Sequence, residues 1–316
     1  MSFYLDVGKR YKRKEIVPSD TCFPKLLQNI ERPVQRLYAI GNVSLLEKPS
    51  LAIVGARKAT PYGLGCAQHF ARLASRHGIT IVSGGAIGCD QAAHKGAISA
   101  NGRTIVVLGN GADVVYPRGA NELFEQVLHS DGVLVSEAPW GAKPNKYGFV
   151  RRNRIIAGLA LATLIVEAGL PSGTFTTADA SLAQGKDVMV VPGAITSSES
   201  QGANNLLLLG ALPVVDDQSF LNYLCDIFHE CMSKTFVSQG KLTNEMYSKS
   251  ASYANASSVQ RSLLDAICAK ASTPEELVHL LAGNMTQTIR ELSTLELAGD
   301  IIRMRDGRYG MQMQNS

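Results

Sequence analysis

The sequence lacks the features that mark several classes of protein. No stretch approaches the ~18 to 20 uninterrupted apolar residues of a membrane-spanning helix, and the polar, basic start lacks the apolar segment of a signal peptide. The six cysteines contain no Cys-x-x-Cys pair, and a chain of 316 residues is too large to depend on disulfides. We therefore expect a cytoplasmic protein without a membrane partner, whose cysteines are buried or incidental thiols.

A large excess of charge of one sign is also missing. The formal net charge is +4, charged residues make up 18% and hydrophobic residues 45%, which is typical of an ordinary globular protein. Because so small a net charge does not by itself indicate a nucleic-acid partner, the local positions of the cations matter more. The length predicts one principal domain with a small appended module.

Short runs rich in β-branched residues alternate with helical stretches in the first two thirds of the chain. Because these runs are apolar throughout, we expect a doubly wound, mostly parallel α/β sheet with helices on both faces. We assign this domain to residues 51–231, with residues 1–50 as a lead-in segment that packs on it. Its binding crevice is predicted at the carboxyl ends of the strands. The predicted strands cover residues 51–56, 80–85, 104–109, 132–137, 163–168 and 187–193.

The C-terminal part of the sequence has a different pattern. Residues 232–258 are rich in Ser, Lys, Asn and Ala with little periodicity, which is typical of a linker. The remainder, residues 259–316, is predicted to form a small winged-helix domain of three helices and a hairpin. The signals are helical periodicity at 259–269, 274–281 and 285–298, and a tight-turn pair at Asp306-Gly307.

The winged-helix domain has few cations in the helix that would enter a DNA groove. Its third predicted helix offers only Arg290, beside Glu291 and Glu296. We therefore favour a protein-contact or regulatory role for this domain over duplex DNA binding. Duplex binding stays open because the hairpin carries Arg303, Arg305 and Arg308.

Glycine-rich turns follow four of the predicted strands. Glycine allows the backbone to approach a ligand, and the N-terminus of a following helix favours an anion, so converging turns of this kind suit phosphate. The alternative is that tight strand-to-helix turns need glycine for their own geometry. The turns are Gly55-Ala56-Arg57, Ser83-Gly84-Gly85-Ala86-Ile87-Gly88, Gly109-Asn110-Gly111 and Ser172-Gly173-Thr174.

A nicotinamide-dinucleotide site is the first candidate for such turns, but two signals are missing. The first turn reads Gly-Ala-Arg instead of the G-x-G-x-x-G fingerprint. The second strand ends in Ser83-Gly84-Gly85, without the carboxylate that would bind a ribose hydroxyl. We therefore expect no dinucleotide cofactor.

The segment at residues 139–156 interleaves cations with aromatic rings. Single-strand DNA binding needs cations that follow the phosphates and flat faces on which bases stack, and this segment supplies both. The alternative is structural: Arg152 and Arg154 pair with Glu137 or Glu167, while Phe149 packs in the core. The cations are Lys143, Lys146, Arg151, Arg152 and Arg154, and the rings are Trp140, Tyr147 and Phe149.

Several ordered segments make the chain similar to the DNA-processing protein A family, also called DprA or Smf. The resemblance extends from about Ile16 to Val215. It rests on IVGARKATPYG (53–63), SGGAIGCDQAAHKGAI (83–98), VVLGNGADVVYP (106–117), VSEAP (135–139), FVRRNRIIAGLA (149–160), VEAGLPSGTFTTA (166–178), VPGAI (191–195) and QGANNLLLLGA (201–211).

The resemblance implies a fold, a function and partners. The fold is an extended Rossmann-like sheet followed by the small winged helix. The function is non-catalytic: a homodimer binds and protects incoming single-stranded DNA and helps load RecA recombinase during natural transformation and recombination. No cofactor or metal is implied.

The resemblance also carries site residues onto this sequence. The DNA-contacting arginine falls on Arg57, the lysine and aromatic pair on Lys146 and Phe149, and an Arg-Asn-Arg motif on residues 152–154. Ala56, Cys89 and Val150 depart from the family's usual residues, but these changes are small. With the glycine turns, the predicted single-strand DNA site comprises Gly55, Arg57, Lys58, Ser83, Gly84, Lys143, Lys146, Phe149, Arg152, Asn153, Arg154, Ser172, Gly173 and Thr174.

Other functions for the same crevice remain as alternatives. A nucleotide-binding sensor would use the same turns. Residues 171–174 echo the P-G-G-x-G-T-x-x-E motif of phosphoribohydrolases, but Thr177 stands where the acid–base carboxylate is expected. Asp90 and His94, four residues apart, could suggest an acid–base pair or metal site. A helix-start cap with a local ion pair is the interpretation we favour, since no third ligand accompanies them.

Overall fold

The computed structural model describes residues 11–228, 256–269, 273–281, 284–298, 300–303 and 307–311. These residues fall into two compact units that divide after residue 233. The first unit holds the large sheet, and the second holds three helices and a hairpin. Each unit is described by itself below.

The first unit is built on a nine-stranded sheet with the order β1-β2-β6-β5-β4-β3-β7-β8-β9. Strands β3 to β9 are parallel to one another, while β2 pairs antiparallel with both β1 and β6. The strands are β1 Arg13–Ile16, β2 Leu37–Gly41, β3 Ser50–Val54, β4 Thr80–Ser83, β5 Thr104–Leu108, β6 Val133–Ser136, β7 Ala162–Ile165, β8 Asp187–Val190 and β9 Leu212–Pro213.

All six predicted strands are confirmed, as β3 to β8, and they are buried on both faces as expected. In β5, Ile105 and Val107 belong to the core beneath one layer of helices. Val106 and Leu108 belong to the core beneath the opposite layer. A central parallel strand therefore needs an apolar residue at every position, which is why the sequence shows continuous apolar runs here.

Two layers of helices cover the sheet. One layer contains α1, α2 and α3, with α7 packed on α1, and the opposite layer contains α4, α5 and α6. This doubly wound arrangement confirms the predicted Rossmann-like fold class. The helices are α1 Pro61–Arg76, α2 Cys89–Ser99, α3 Asn121–His129, α4 Lys146–Leu159, α5 Phe175–Ala183, α6 Gln201–Leu208 and α7 Asp217–Ile227.

The lead-in segment supplies part of the sheet itself. Residues 11–49 contribute β1 and β2, which extend the sheet beyond β6, and they bury Phe23, Leu27 and Ile30 in the same core as α4. Strand β1 reads Arg-Lys-Glu-Ile with only its last residue buried. Its charged side chains suit an edge strand, which must resist pairing with other chains. Residues 1–10 lie outside the described residues.

The second unit contains α8 Ser258–Ala269, α9 Pro274–Leu281 and α10 Met285–Leu297, followed by β10 Ile301–Arg303 and β11 Tyr309–Met311. The two strands pair antiparallel, so the predicted helices and hairpin are confirmed. The winged-helix arrangement of these elements stays a prediction. Asp306 of the predicted turn and residues 232–255 of the predicted linker lie outside the described residues.

Within the described ranges, the search for a helix both long and apolar enough to span a bilayer finds none. Four cysteines have described side chains, Cys22, Cys66, Cys89 and Cys225, and all four are free thiols. This matches the expectation drawn from their spacing.

Candidate functional site

A crevice of about 680 Å³ opens at the carboxyl ends of β3 and β7. The chain leaves β3 for β4 on one side, whereas β7 continues the sheet on the other, so this edge is the topological switch point. Crevices at switch points are the usual ligand sites of doubly wound sheets. At the predicted position of the site, the structure therefore has an opening lined by both cations and aromatic rings.

The first turn forms the floor and one lip of the crevice. A Cβ atom on Gly55 would lie 2.7 Å from Cys89 Sγ and 3.0 Å from the Glu167 carbonyl oxygen, so packing beneath the turn already demands glycine there. Arg57 and Lys58 follow on the exposed lip. The turn thus combines a structural glycine with two cations that face solvent.

Helix α4 supplies the opposite wall. Asn145 caps the helix, because its side-chain oxygen accepts a hydrogen bond from Gly148 N at 2.8 Å. Lys146, Phe149 and Asn153 then recur at helical spacing and line the crevice. The basic and aromatic segment of the sequence therefore presents a single helical face to the opening.

Phe149 stands between a second ring and a guanidinium. Its ring stacks on Tyr116 with centroids 5.1 Å apart and an interplanar angle of 28°. The Arg57 guanidinium carbon lies 5.5 Å from the Phe149 centroid, within cation–π range. Phe149 is only half-buried, so this cluster belongs to the crevice wall and not to the interior core.

Arg152 lies beneath the crevice in a buried position. Its Nη1 donates to the Gly84 carbonyl oxygen at 2.6 Å and to the Val107 carbonyl oxygen. A Cβ atom on Gly84 would collide with this guanidinium, which explains the glycine. Burial lowers the pKa of Arg152 to about 10, so the group stays charged at neutral pH. Arg152 thus links the ends of β4 and β5 and places a positive charge beneath the crevice.

Asp90 is also buried, and burial raises its pKa while the charge of Arg152 opposes that shift. Its Oδ2 accepts a long hydrogen bond from Ala86 N at 3.4 Å. The expected ion pair with His94 is wrong: Nδ1 of His94 hydrogen-bonds Thr104 Oγ1 at 2.7 Å, and burial lowers the His94 pKa to about 3. The histidine is therefore neutral.

Arg154 points away from the crevice, because residues two positions apart on a helix face different directions. Its Nη2 donates to both carboxylate oxygens of Glu137 at 2.7 Å, and Arg151 Nε donates to the same carboxylate at 2.9 Å. The structural interpretation is thus confirmed for Arg154. It is wrong for Arg152, and Glu167 instead accepts from Thr60 N and Oγ1 at 2.8 Å each.

The third wall is the turn before α5. Asn153 Nδ2 donates to the Gly173 carbonyl oxygen at 3.2 Å and to Thr176 Oγ1 at 2.6 Å, which ties this turn to α4. No heavy atom lies near the position of a Cβ on Gly173, so the backbone there is open to a ligand. The turn also leads into the N-terminus of α5, a favourable place for an anion.

The structure brings ten of the fourteen predicted residues into the crevice wall: Gly55, Arg57, Lys58, Lys146, Phe149, Arg152, Asn153, Ser172, Gly173 and Thr174. Ser83 and Gly84 lie behind it, where Ser83 Oγ donates to the Ile53 carbonyl oxygen at 2.6 Å. Lys143 is exposed outside the lining, and Arg154 is on the other side of α4.

Sequence reasoning missed two contributors, Tyr116 and Asn145. The Val-Val-Tyr-Pro run at residues 114–117 was a usable signal, because an aromatic residue there follows a strand end. Among the residues the structure describes, no group of three His, Cys, Asp or Glu side chains could hold a metal.

The fold and the crevice define a Rossmann-like protein with a basic, aromatic crevice at the switch point of its sheet. The family model described as DNA recombination-mediator protein A matches residues 14–225, and the chain belongs to this family. The predicted family is therefore confirmed.

Two curated relatives illustrate the match. Protein Smf of Escherichia coli (strain K12) is 39% identical over 211 residues, which cover 66% of this chain and 56% of that protein. DNA processing protein DprA of Streptococcus pneumoniae (strain ATCC BAA-255 / R6) is 35% identical over 223 residues, 69% of this chain and 78% of that protein. The matched region thus spans little more than half of the Escherichia coli protein.

Two solved structures share the fold. DNA processing protein A from Streptococcus pneumoniae aligns with a TM-score of 0.63 and 35% identity, covering 67% of this chain and 74% of that chain. DNA processing protein A from Helicobacter pylori, studied for its single-stranded DNA binding mode, aligns with a TM-score of 0.62 and 30% identity. That alignment covers 69% of this chain and 97% of that chain.

Proposed function

We propose that the crevice binds single-stranded DNA and that the protein is a non-catalytic recombination mediator. The observation that carries the proposal is the cluster of Arg57, Phe149 and Tyr116 beside Lys146. Cations next to stacked rings meet the two requirements of single-strand binding, contact with phosphates and stacking of bases. The similar protein from Helicobacter pylori, which binds single-stranded DNA, supports the same ligand.

The wider role follows from the family. We propose that the protein protects incoming single-stranded DNA and helps load RecA recombinase in natural transformation and recombination. A mediator of this kind must hold the strand without cutting it. Thr177 supports the proposed non-catalytic role, because it lines the crevice at the position where a phosphoribohydrolase would need its catalytic carboxylate.

The test is a titration with matched single-stranded and duplex oligonucleotides at two salt concentrations, followed by fluorescence anisotropy. We expect preference for the single strand and an affinity that falls steeply with salt, since bound phosphates release counterions. A mononucleotide should compete only weakly. Equal competition by a mononucleotide would favour a nucleotide sensor, and release of free base from it would favour a hydrolase.

A homodimer also belongs to the proposal, and the end of α6 offers a surface for it. Leu208 is 86% exposed, and the neighbouring Leu209 is 83% exposed. Contiguous exposed apolar side chains commonly mark interaction surfaces. A two-fold dimer would cover the same patch on both copies.

Leu208→Glu should shift the protein from dimer to monomer, because a buried carboxylate without a partner opposes association. Analytical ultracentrifugation over a dilution series measures the change. Leu182→Glu is the control, because Leu182 is a 57% exposed leucine on α5. A dimer that persists unchanged in Leu208→Glu would place the interface elsewhere.

A further inference from the structure

A second groove of about 680 Å³ lies on the other side of α4. Its lining is rich in cations, with five Lys or Arg side chains against the two carboxylates of Glu31 and Asp179. Of these residues, only Arg151 and Arg154 belong to the basic and aromatic segment that the sequence indicated. The cations are Lys25, Arg32, Arg151, Arg154 and Lys186.

The groove and the crevice share a wall. Val150, which is 51% exposed, lines both openings. The hydrogen bond from Asn153 of the crevice to Thr176 of the groove completes the ridge between them. Phe149 and Arg154 are five residues apart, so about 7.5 Å of helix axis separates the rings of the crevice from the cations of the groove.

The cations of the groove differ in the hydrogen bonds that they make within the protein. Lys186 Nζ donates to the carbonyl oxygens of Ala157 and Gly158 at 2.8 and 2.9 Å, and the lysine fixes the end of α4. Arg154 uses only Nη2 on Glu137, and its buried Nε and Nη1 have no hydrogen-bond partner within the described ranges. The inner cations are therefore fixed in position by the protein and contribute positive charge to the wall of the groove.

The outer cations are exposed at the mouth of the groove. The Arg32 side chain is 74% exposed, and its 3.9 Å contact with Glu31 joins two solvated groups, which is a weak interaction. Lys25 is exposed on the short helix that packs against α4. These two side chains can reach a ligand without breaking an internal contact.

We propose that the groove binds the phosphates of the DNA strand after it leaves the crevice, so that one strand passes around the exposed Val150 ridge. This inference rests on the proposed function of the crevice. A single strand is flexible enough to bend around the ridge from the crevice into the groove. Duplex DNA is too stiff for so sharp a bend, because its persistence length is about 150 base pairs. The crevice then supplies stacking, and the groove supplies added electrostatic affinity.

The test uses Lys25→Glu/Arg32→Glu in the full chain and oligothymidylates of about 4 to 16 nucleotides, the range of known single-strand site sizes. The charge-matched control is Arg76→Glu/Lys95→Glu, whose exposed side chains belong to α1 and α2 on the opposite face of the sheet. Circular dichroism and thermal unfolding check that both variants fold.

We expect the shortest oligonucleotides to bind the groove variant and the control equally. The longest should bind the groove variant roughly tenfold more weakly, with a slope of log affinity against log salt that is shallower by about 1.4, the value for two lost phosphate contacts. Equal affinity of the two variants at every length would refute DNA binding by the groove, while the proposed binding by the crevice would still stand. No single-strand binding by the native chain would instead refute the proposed function itself.

Discussion

Replacing Arg57 and Lys146 together with glutamate should lower the affinity for single-stranded DNA by about a thousandfold. Each side chain is exposed on a different wall of the crevice, so under the proposed function the two would contact a strand from two sides. A hydrogen bond to a charged group contributes about 1.5–3 kcal/mol, and two such losses correspond to roughly three orders of magnitude. Anisotropy titration at fixed salt measures the change.

Two comparisons make this result specific. The control Arg76→Glu/Lys95→Glu changes the net charge equally but lies on the opposite face of the sheet, so it should lose only a small, salt-dependent part of the affinity. Phe149→Leu removes the aromatic face and retains apolar bulk, and it should cost about 1–3 kcal/mol of stacking. If the control loses as much as the crevice variant, binding depends on net charge alone.

Arg152→Met should destabilise the first unit by about 3–5 kcal/mol, the usual cost of removing one partner of a buried charged group. The variant leaves the Gly84 and Val107 carbonyl oxygens without their hydrogen-bond donor. It also removes the positive charge that counteracts the rise in the Asp90 pKa caused by burial. Arg151→Met is the matched control. Its salt bridge to Glu137 is partly exposed, so it should cost no more than about 1 kcal/mol.

The loss in Arg152→Met should depend on pH. Burial raises the pKa of Asp90 in the folded state above its value in the unfolded state. Between these two pKa values the folded state binds more protons than the unfolded state, so the free energy of unfolding falls as pH rises through that range. Removing the arginine charge raises the folded pKa further. Urea unfolding should therefore show a larger destabilisation at pH 7 than at pH 5. An equal loss at both pH values would mean that Asp90 is not the group responsible.

The sequence predicts the centre of the sheet well and its edges poorly. Strands β3 to β8 are apolar on both faces, so their composition alone distinguishes them. Strand β1 is mostly charged and β9 contains only Leu212 and Pro213, because edge strands bury little. Their pairing depends on neighbours that are distant in the chain, which a local pattern does not contain.

The site shows the same division between local and distant information. The helical face of Lys146, Phe149 and Asn153 could be predicted from spacing, and spacing would also have separated Arg152 from Arg154. The stacking of Tyr116 on Phe149 could not be predicted from spacing, because Tyr116 lies in a turn about thirty positions earlier in the chain. Likewise, Gly84 is a glycine because a guanidinium fills the space beside it, and only the fold shows which side chain that is.

The buried position of Arg152 also affects how the crevice attracts an anion. The cations on the lips lie in water, where added salt weakens their field, but a charge held below the surface is screened much less. Arg152 therefore contributes a positive charge that does not depend on flexible surface side chains, and the buried Asp90 carboxylate offsets part of it when ionised. Under the proposed function, part of the attraction for a phosphate would in this way be built into the folded core, before any strand binds.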